Sequence, residues 1–260
     1  MTQIKKRTTA STLLADKQNH HKHVWLTAYD APSASLAELS GVDVILVGDS
    51  LGMVSLGFDS TIPVTLEHMI HHAAAVVRGT DKAWVVCDLP FGSYQQSPEQ
   101  AFESAAKVLQ QTGCDAVKIE GGKHMAATIA FLSERGIAVV AHIGLTPQSV
   151  KKFGGFKKQG GNPEAAKLIR DDAQAVSHAG AVAVVLECIP DDLAKGITQS
   201  ITIPTVGIGA GNNCDAQVLV WHDLLGLSEK NPAFAPAYSN LRDTITQAIG
   251  QWVDDVRSGK

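Results

Sequence analysis

The chain repeats one pattern of hydrophobic and polar positions, in which a short apolar run rich in β-branched residues ends on a single acidic or histidine residue. Such runs are typical of parallel strands buried on both faces, and the polar residue marks the point where the strand leaves the apolar core. The alternative is that each polar residue caps a following helix. Residues 42–48, 83–87, 116–119, 137–141 and 182–186 form the runs, which end on Asp49, Asp88, Glu120, His142 and Glu187.

Segments with helical periodicity separate these runs, and several of them stop at a glycine shortly before the next strand. Glycine tolerates the left-handed conformation that terminates a helix, so these glycines indicate helix-to-strand junctions. Gly41, Gly113, Gly136 and Gly180 follow predicted helices at 36–40, 101–112, 126–135 and 165–179.

Further apolar runs at 24–29, 204–208 and 217–221 raise the number of strand candidates to eight. The last run is ambiguous, because residues 215–225 could equally begin a helix. Strands that alternate with helices at this count favour an α/β fold of the (β/α)8 TIM-barrel type over a doubly wound sheet. We therefore predict one barrel domain over residues 1–260, with an N-terminal helical segment at the barrel bottom and a C-terminal tail outside it.

Composition and charge restrict the partners. A net charge of −4 and a pI near 6.2 give no electrostatic reason to expect nucleic acid or an anionic membrane as a partner. The apolar stretches are strand-sized, well below the roughly 20 residues that span a bilayer. The first residues lack the apolar core of a secretory signal, so we expect a cytoplasmic protein. The four cysteines form no CxxC pair and are expected to be buried, reduced thiols.

The polar strand ends are candidates for a catalytic site, because barrel active sites lie at the carboxyl ends of the strands. Carboxylates packed together repel one another unless a cation or shared protons intervene. Oxygen ligands favour Mg²⁺ or Mn²⁺, and such a metal, chelated by a 2-oxo acid, would stabilise an enolate. Glu187 comes later in the chain than the other acids and could be a base instead of a ligand.

Lys118 and Glu120 are two residues apart on one predicted strand, so both point into the barrel or both point outward. If they point inward, Lys118 would neutralise negative charge that develops on the substrate. A lysine that only balances the charge of its neighbouring acid fits the spacing equally well.

Other segments give weaker signals. The glycine stretch 207–211 follows the seventh strand, where barrels often bind phosphate, although glycines there also permit a tight turn. Residues 153–161 are typical of a mobile loop that could close over a site. Two histidine groups are present, one expected at a solvated surface and one a weak candidate for a transition metal: His20, His21 and His23, and His68, His71 and His72.

Eight short motifs follow in order along the chain: TAYD at 27–30, LVGDSLG at 46–52, DLPF at 88–91, VKIEGG at 117–122, HIGLTPQ at 142–148, FGGFK at 153–157, LECIP at 186–190 and GIGAG at 207–211. Through these motifs the chain resembles the ketopantoate hydroxymethyltransferase family, also called 3-methyl-2-oxobutanoate hydroxymethyltransferase. The similarity extends from about residue 8 to about residue 227.

The resemblance implies a barrel of the phosphoenolpyruvate/pyruvate-like type that transfers a hydroxymethyl group from 5,10-methylenetetrahydrofolate to 3-methyl-2-oxobutanoate. The product would be 2-dehydropantoate, on the route to pantothenate, formed through a Mg²⁺-stabilised enolate. The resemblance also suggests a homodecamer and makes the glycine stretch a site wall. The resemblance also implies residue roles. The Mg²⁺ ligands would be Asp49, Asp88 and Glu120, the catalytic proton acceptor would be Glu187, and the substrate contacts would be Asp49, Ser50, Asp88 and Lys118. We add His142 to the expected substrate contacts.

The chain departs from the family pattern at three places, which leave loop closure, the folate contacts and the assembly surface open. Lys158 stands where an apolar residue is usual, Gly161 where a basic one is usual, and residues 232–236 lack the usual lysines. Two other functions are considered: a lyase of the related barrel type, which folate dependence would separate, and a non-catalytic barrel. An unused group of buried charges costs stability, which argues against the second.

Overall fold

The computed structural model describes residues 7–260, and the chain up to Val218 forms one compact unit built around a closed barrel of parallel strands in sequence order. The predicted (β/α)8 fold is therefore confirmed. The ambiguous eighth run is a strand that a short helix follows. The strands are β1 His23–Thr27, β2 Val44–Val47, β3 Trp84–Asp88, β4 Ala116–Glu120, β5 Val139–Gly144, β6 Ala183–Glu187, β7 Thr205–Ile208 and β8 Ala216–Leu219.

Helices connect the strands and begin at residues that satisfy their free backbone N–H groups. The side chains of Asp30, Thr65, Ser97 and Asn162 each accept a hydrogen bond from the first helical turn. The helices are α1 Ala10–Gln18, α2 Ala31–Leu39, α3 Leu51–Val54, α4 Leu66–Arg78, α5 Pro98–Thr112, α6 Ala126–Ser133, α7 Val150–Phe153, α8 Pro163–His178, α9 Asp191–Ser200, α10 Trp221–Leu224 and α11 Leu241–Ser258, with 3₁₀ turns at Lys123–Met125 and Pro147–Ser149.

Alternate strand residues fill the barrel interior with apolar side chains. Trp25 and Trp84 meet edge to face near the amino ends of their strands, with ring centroids 6.3 Å apart, and the fully buried Leu13 of α1 joins the same cluster. Val86 and Ala116 belong to the cluster as well. Because strand side chains alternate, the residues two and four positions further along these strands also point inward, toward the carboxyl ends.

Residues 219–260 form a second compact unit, which contains α10 and the long helix α11. Four apolar side chains of α11 are exposed at spacings that place them on one helical face: Ile245, Ile249, Trp252 and Val256. Within residues 7–260, no helix combines the length and apolar character needed to cross a membrane. The assignment of a single domain to the whole chain stays a prediction.

Candidate active site

The strand register brings the predicted polar residues to one end of the barrel. Asp88 of β3 is paired in register with Lys118 of β4, and Glu120 of β4 with His142 of β5. Lys118 and Glu120 follow the core residue Ala116 at two-residue spacing, so both side chains point into the barrel. Of the two orientations that the sequence left open for Lys118 and Glu120, the fold adopts the one in which both side chains point inward.

The five strand-end residues do not cap helices. In the part of the chain that the structure describes, no helix has Asp49, Asp88, Glu120, His142 or Glu187 as its N-cap residue. The capping interpretation of the pattern is therefore wrong for this chain. These side chains are buried in the barrel mouth, at 3–6% exposure for the first four residues and 15% for the Glu187 side chain.

Asp49 and Asp88 lie side by side at the ends of β2 and β3. The Asp49 main-chain N–H donates to Asp88 Oδ2 at 3.0 Å. A Cβ atom at Gly48 would lie 3.6 Å from Asp88 Oδ2, which is an ordinary contact, but only 2.8 Å from Ser50 Oγ. A side chain at position 48 would therefore displace the Ser50 hydroxyl.

Lys118 places a positive charge at the centre of the acidic group. Its Nζ lies 3.1 Å from Asp88 Oδ1 and 3.2 Å from His142 Nδ1. Burial lowers the pKa of Lys118, but the charges of Asp88, Glu120 and Asp49 outweigh burial and raise the pKa above its usual value. The lysine is therefore a permanent cation, as a group that stabilises developing negative charge must be.

The lysine also fixes the tautomer of His142. An ammonium group has only donors, so Nδ1 of the ring accepts and the ring proton is on Nε2. Burial, followed by the charge of Lys118, lowers the pKa of His142 well below its usual value, so the ring is neutral. Nε2 lies 3.1 Å from Glu187 Oε2, close but not aligned as a hydrogen bond.

Burial raises the pKa values of three carboxyl groups of the site. The pKa of Asp49 is raised to about 7 by burial and then by the charge of Asp88. Burial raises the pKa of Glu187 to about 7 as well, against the lowering effect of Lys118. Burial likewise raises the pKa of Glu120 well above its usual value. The site is an acidic cluster with one cation, and it would gain from further positive charge.

Gln148 and Tyr94 are part of this cluster although the sequence assigned them no role. The Gln148 side-chain amide donates to Asp49 Oδ2 at 2.9 Å, and its main-chain N–H donates to Glu120 Oε2 at 3.0 Å. The Tyr94 hydroxyl donates to Gln148 Oε1 at 2.7 Å. Gln148 does occur in a family motif, but no sequence pattern indicates which side chains an uncharged loop amide contacts.

Ser50, a predicted substrate contact, is half-buried next to Asp49 and hydrogen-bonded to the Tyr29 hydroxyl at 2.9 Å. His72 of α4 supports the same region, since its Nδ1 lies 2.6 Å from the Tyr29 carbonyl oxygen. The other two histidines of α4 also have partners within the fold: His68 Nδ1 accepts from the Thr65 main-chain N–H at 3.2 Å, and the His71 ring meets that of His72 edge to face.

One histidine near the N-terminus was placed wrongly by the sequence. His23 is not solvated: it is the first residue of β1, 4% exposed, and its Nε2 lies 3.2 Å from the Leu13 carbonyl oxygen. Its neighbours His20 and His21 are exposed, as expected. All four cysteines are free; three are buried as expected, whereas Cys188 is only half-buried.

Two loops border the site. Residues 154–162 are joined to the end of β6, because the Gln159 N–H donates to the Cys188 carbonyl oxygen at 2.8 Å. Phe156 of this loop is 56% exposed. The glycine stretch begins in β7, and Gly211 packs so closely on Asp191 that a Cβ there would overlap the carboxylate. Closure of the first loop and a wall function for the second stay predictions.

The carboxylates Asp49, Asp88 and Glu120 offer only oxygen donors, which are the ligands that Mg²⁺ prefers. Zinc sites are usually formed by three or four nitrogen and sulfur ligands, and these three side chains offer none. Within the described residues, no three histidine, cysteine or acidic side chains are already grouped around one metal position, and this holds for the three carboxylates too. Mg²⁺ is commonly held by one or two carboxylates and keeps several waters. The donor set and its excess negative charge therefore fit Mg²⁺.

A closed parallel barrel with a buried acidic site at the carboxyl ends of its strands defines the class of protein, a TIM-barrel enzyme. The family model for ketopantoate hydroxymethyltransferase matches residues 7–260. A 3-methyl-2-oxobutanoate hydroxymethyltransferase of Synechocystis sp. is 54% identical over 96% of each chain, and one of Geobacillus sp. is 51% identical over 93% of this chain and 87% of the relative. The chain belongs to the ketopantoate hydroxymethyltransferase family, and its predicted class, a hydroxymethyltransferase, is confirmed.

Solved structures with the same architecture support the fold. Phosphonopyruvate hydrolase in complex with oxalate and Mg²⁺ superposes with a TM-score of 0.61 at 15% identity, over 97% of this chain and 88% of that one. 2,3-dimethylmalate lyase, a member of the PEP mutase/isocitrate lyase superfamily, gives a TM-score of 0.60 at 14% identity, over 96% and 88%. At these identities the likenesses show the shared barrel fold.

Proposed function

We propose that this enzyme transfers a hydroxymethyl group from 5,10-methylenetetrahydrofolate to 3-methyl-2-oxobutanoate and forms 2-dehydropantoate for pantothenate biosynthesis. The observation that carries the proposal is the arrangement of Glu187, a carboxyl group with a pKa near 7, at the same barrel mouth as a lysine and three buried acids. Membership of the hydroxymethyltransferase family supports the same reaction.

Glu187 is the proton acceptor. It is less buried than the other acids, with 15% of its side chain exposed, and a pKa near neutrality suits a general base. In its ionised form it removes the C3 proton of the keto acid, and the electron pair of that C–H bond forms an enolate. Water adds to the methylene carbon of the folate and its two C–N bonds break, which releases tetrahydrofolate with the protons of that water and leaves formaldehyde. The enolate carbon forms the new C–C bond to the formaldehyde carbon, and the resulting alkoxide takes the proton back from Glu187 to become the hydroxyl group.

Lys118 and His142 stabilise the negative charge that develops on the substrate. The ammonium of Lys118 is a permanent cation in the middle of the site, and the Nε2–H of the neutral His142 ring faces the base. Asp49, Ser50 and Asp88 complete the substrate contacts that the sequence predicts. The positive charge and the hydrogen-bond donor are therefore in position before the reaction begins, and such preorganised electrostatic stabilisation is usually the largest single contribution to catalysis.

Asp49, Asp88 and Glu120 would hold a Mg²⁺ ion, with water or substrate oxygens as its other ligands. When bound, Mg²⁺ would supply the Lewis acidity that makes the proton next to the keto carbonyl acidic. Burial, followed by the charge of Asp88, raises the pKa of Asp49, and a nearby cation would favour the ionised carboxylate against both effects.

Proton NMR of 3-methyl-2-oxobutanoate in D₂O tests the proposal. With the purified protein and Mg²⁺, we expect loss of the C3 proton signal, followed by 2-dehydropantoate when 5,10-methylenetetrahydrofolate is added. Samples without Mg²⁺ and without protein are the controls. No exchange and no product under either condition would contradict the transferase and favour a lyase or a barrel that only binds the keto acid.

Assembly into a homodecamer and a cytoplasmic location remain proposals. The exposed apolar side chains of α11 support self-association, because exposed apolar side chains on one face commonly mark contact surfaces. Neither nucleic acid nor a membrane is proposed as a partner, given the net charge of −4.

A further inference from the structure

Gln148 contacts two of the proposed metal ligands without being an acid itself. It lies in the 3₁₀ turn that follows β5 and is 4% exposed. Its side-chain Nε2 donates to Asp49 Oδ2 at 2.9 Å, and its main-chain N–H donates to Glu120 Oε2 at 3.0 Å. One residue thus connects two carboxylates that come from different strands of the barrel.

The orientation of the Gln148 amide is fixed by four partners. An amide has two donor N–H groups and two acceptor positions. Besides Asp49, Nε2 donates to the Leu89 carbonyl oxygen at 2.9 Å, while Oε1 accepts from the Tyr94 hydroxyl at 2.7 Å and from Gln95 Nε2 at 3.0 Å. If the amide turned over, its oxygen would face two oxygens, so only one orientation is compatible with this environment.

Tyr94 links this amide to Glu120 by a second route. The Tyr94 side chain is 1% exposed, and its hydroxyl accepts a hydrogen bond from the Glu120 main-chain N–H at 3.0 Å while it donates to Gln148. The end of β4 and the 3₁₀ turn are therefore held together at two points. Each partner is buried, so the network defines one arrangement of the two carboxylates.

We propose that Gln148 is a positioning residue for the metal ion: it holds one oxygen of Asp49 and one of Glu120 and leaves the second oxygen of each for the metal. This inference rests on the metal site of the proposed function. The chemistry explains why an amide is present. A glutamate at this position would add a fourth carboxylate to the three proposed metal ligands. An apolar side chain would leave Asp49 Oδ2 buried without a donor. Partners of metal ligands typically contribute about 10–100-fold to metal affinity.

Binding of Mn²⁺, followed by electron paramagnetic resonance, tests this role without turnover. The variants are Gln148→Met, which keeps the volume and removes the amide, and Tyr94→Phe, which removes one hydroxyl. Gln95→Met is the matched control, because Gln95 contacts the same amide oxygen but neither carboxylate. We expect the Mn²⁺ Kd to rise about tenfold or more in Gln148→Met, about threefold in Tyr94→Phe and less than twofold in the control.

A second readout separates orientation of the metal from general packing. Turnover is measured as a function of Mg²⁺ concentration, and saturating Mg²⁺ should restore most of the kcat of Gln148→Met. A packing defect would instead lower kcat at every Mg²⁺ concentration. Thermal unfolding shows whether each variant is folded, and Tyr94→Phe decides alone if Gln148→Met is not.

A rise in Kd below threefold in Gln148→Met would overturn the role of Gln148. Where Tyr94→Phe decides, a rise no larger than that of the Gln95→Met control would overturn it. If the wild-type protein turns over while the variants bind Mn²⁺ normally, this inference fails and the proposed function stands. If the wild-type protein binds Mn²⁺ with the expected dependence on Gln148 but forms no 2-dehydropantoate, the proposed function fails and the positioning role stands.

Discussion

At the scale of single residues, the surroundings give chemically identical groups different roles. Glu120 and Glu187 are both glutamates at strand ends, and burial raises the pKa of each. Glu120 has one oxygen held by the Gln148 N–H and the other 3.6 Å from His142 Nδ1. Glu187 is more exposed, and its Oε2 lies 3.1 Å from His142 Nε2. Glu187 is thus free to accept a proton, whereas Glu120 is suited to a fixed ligand.

Replacing Glu187 with glutamine removes the proposed base but keeps the size and polarity of the side chain. We expect Glu187→Gln to lower kcat by at least about 10²-fold, because general bases contribute that much or more. Calorimetric binding of the keto acid with Mg²⁺ should change little. Glu164→Gln, an exposed substitution in the first turn of α8, is the matched control. Near-normal turnover in Glu187→Gln would show that another group takes the proton.

Glu187 also makes stability depend on pH. Its pKa is about 7 in the folded protein and near 4.5 in an unfolded chain, so between these values the folded state binds more protons. The contribution of the protonated group to stability is therefore complete below about pH 4.5 and is lost as pH rises through about 7. Relative to Glu187→Gln, the metal-free wild type should lose about 1–3 kcal/mol of unfolding free energy over this range. Urea unfolding at pH 5 and pH 8 measures the difference, and equal differences at both pH values would contradict the assignment.

At the scale of elements, the ends of neighbouring strands determine the position of the catalytic groups. Gly144 ends β5 with φ +90°, and it is paired in register with Glu187 of β6. A Cβ atom at Gly144 would overlap the Glu187 carbonyl oxygen and lie 2.8 Å from Ile189 Cγ2. Glycine is therefore required here both by the backbone conformation and by the close approach of β6.

Gly144→Ala should lower both stability and activity. The left-handed conformation alone costs about 1–3 kcal/mol for a side chain, and the overlap shifts the backbone of the catalytic base. Gly136→Ala is the matched control, because Gly136 also has a positive φ of 83° but nothing lies within 4 Å of its Cβ position. Urea unfolding and kcat measure the two effects. The prediction fails if Gly144→Ala retains full kcat while Gly136→Ala loses the same stability.

At the scale of the whole molecule, the second compact unit presents a surface that one chain leaves exposed. Ile245, Ile249, Trp252 and Val256 lie on one face of α11 and are 45–68% exposed. Exposed apolar side chains contribute little to the stability of a single chain, so we propose that this face of α11 contacts another copy of the protein.

Placing charge on this face should disrupt self-association. We expect the double variant Ile249→Glu, Trp252→Glu to shift the protein to a smaller assembly in sedimentation velocity, because burying two carboxylates in an apolar contact is costly. The control, Gln247→Glu with Gln251→Glu, adds the same charge at other exposed positions of α11. Thermal stability of the separated monomer should be unchanged. An unaltered sedimentation coefficient in the double variant would exclude this face as the contact.

The sequence determined the succession of elements and the group of acids at the barrel mouth. Both follow from local rules: fully buried strands are continuously apolar, glycine ends helices, and parallel strands bring their carboxyl ends to one edge. Only the tertiary structure decided whether Lys118 and Glu120 point inward, because alternation permits either parity until the strand is placed against its neighbours. The contacts of Gln148 and the burial of His23 were also decided there, since the partners of an uncharged loop side chain lie far away in sequence and no periodicity records them.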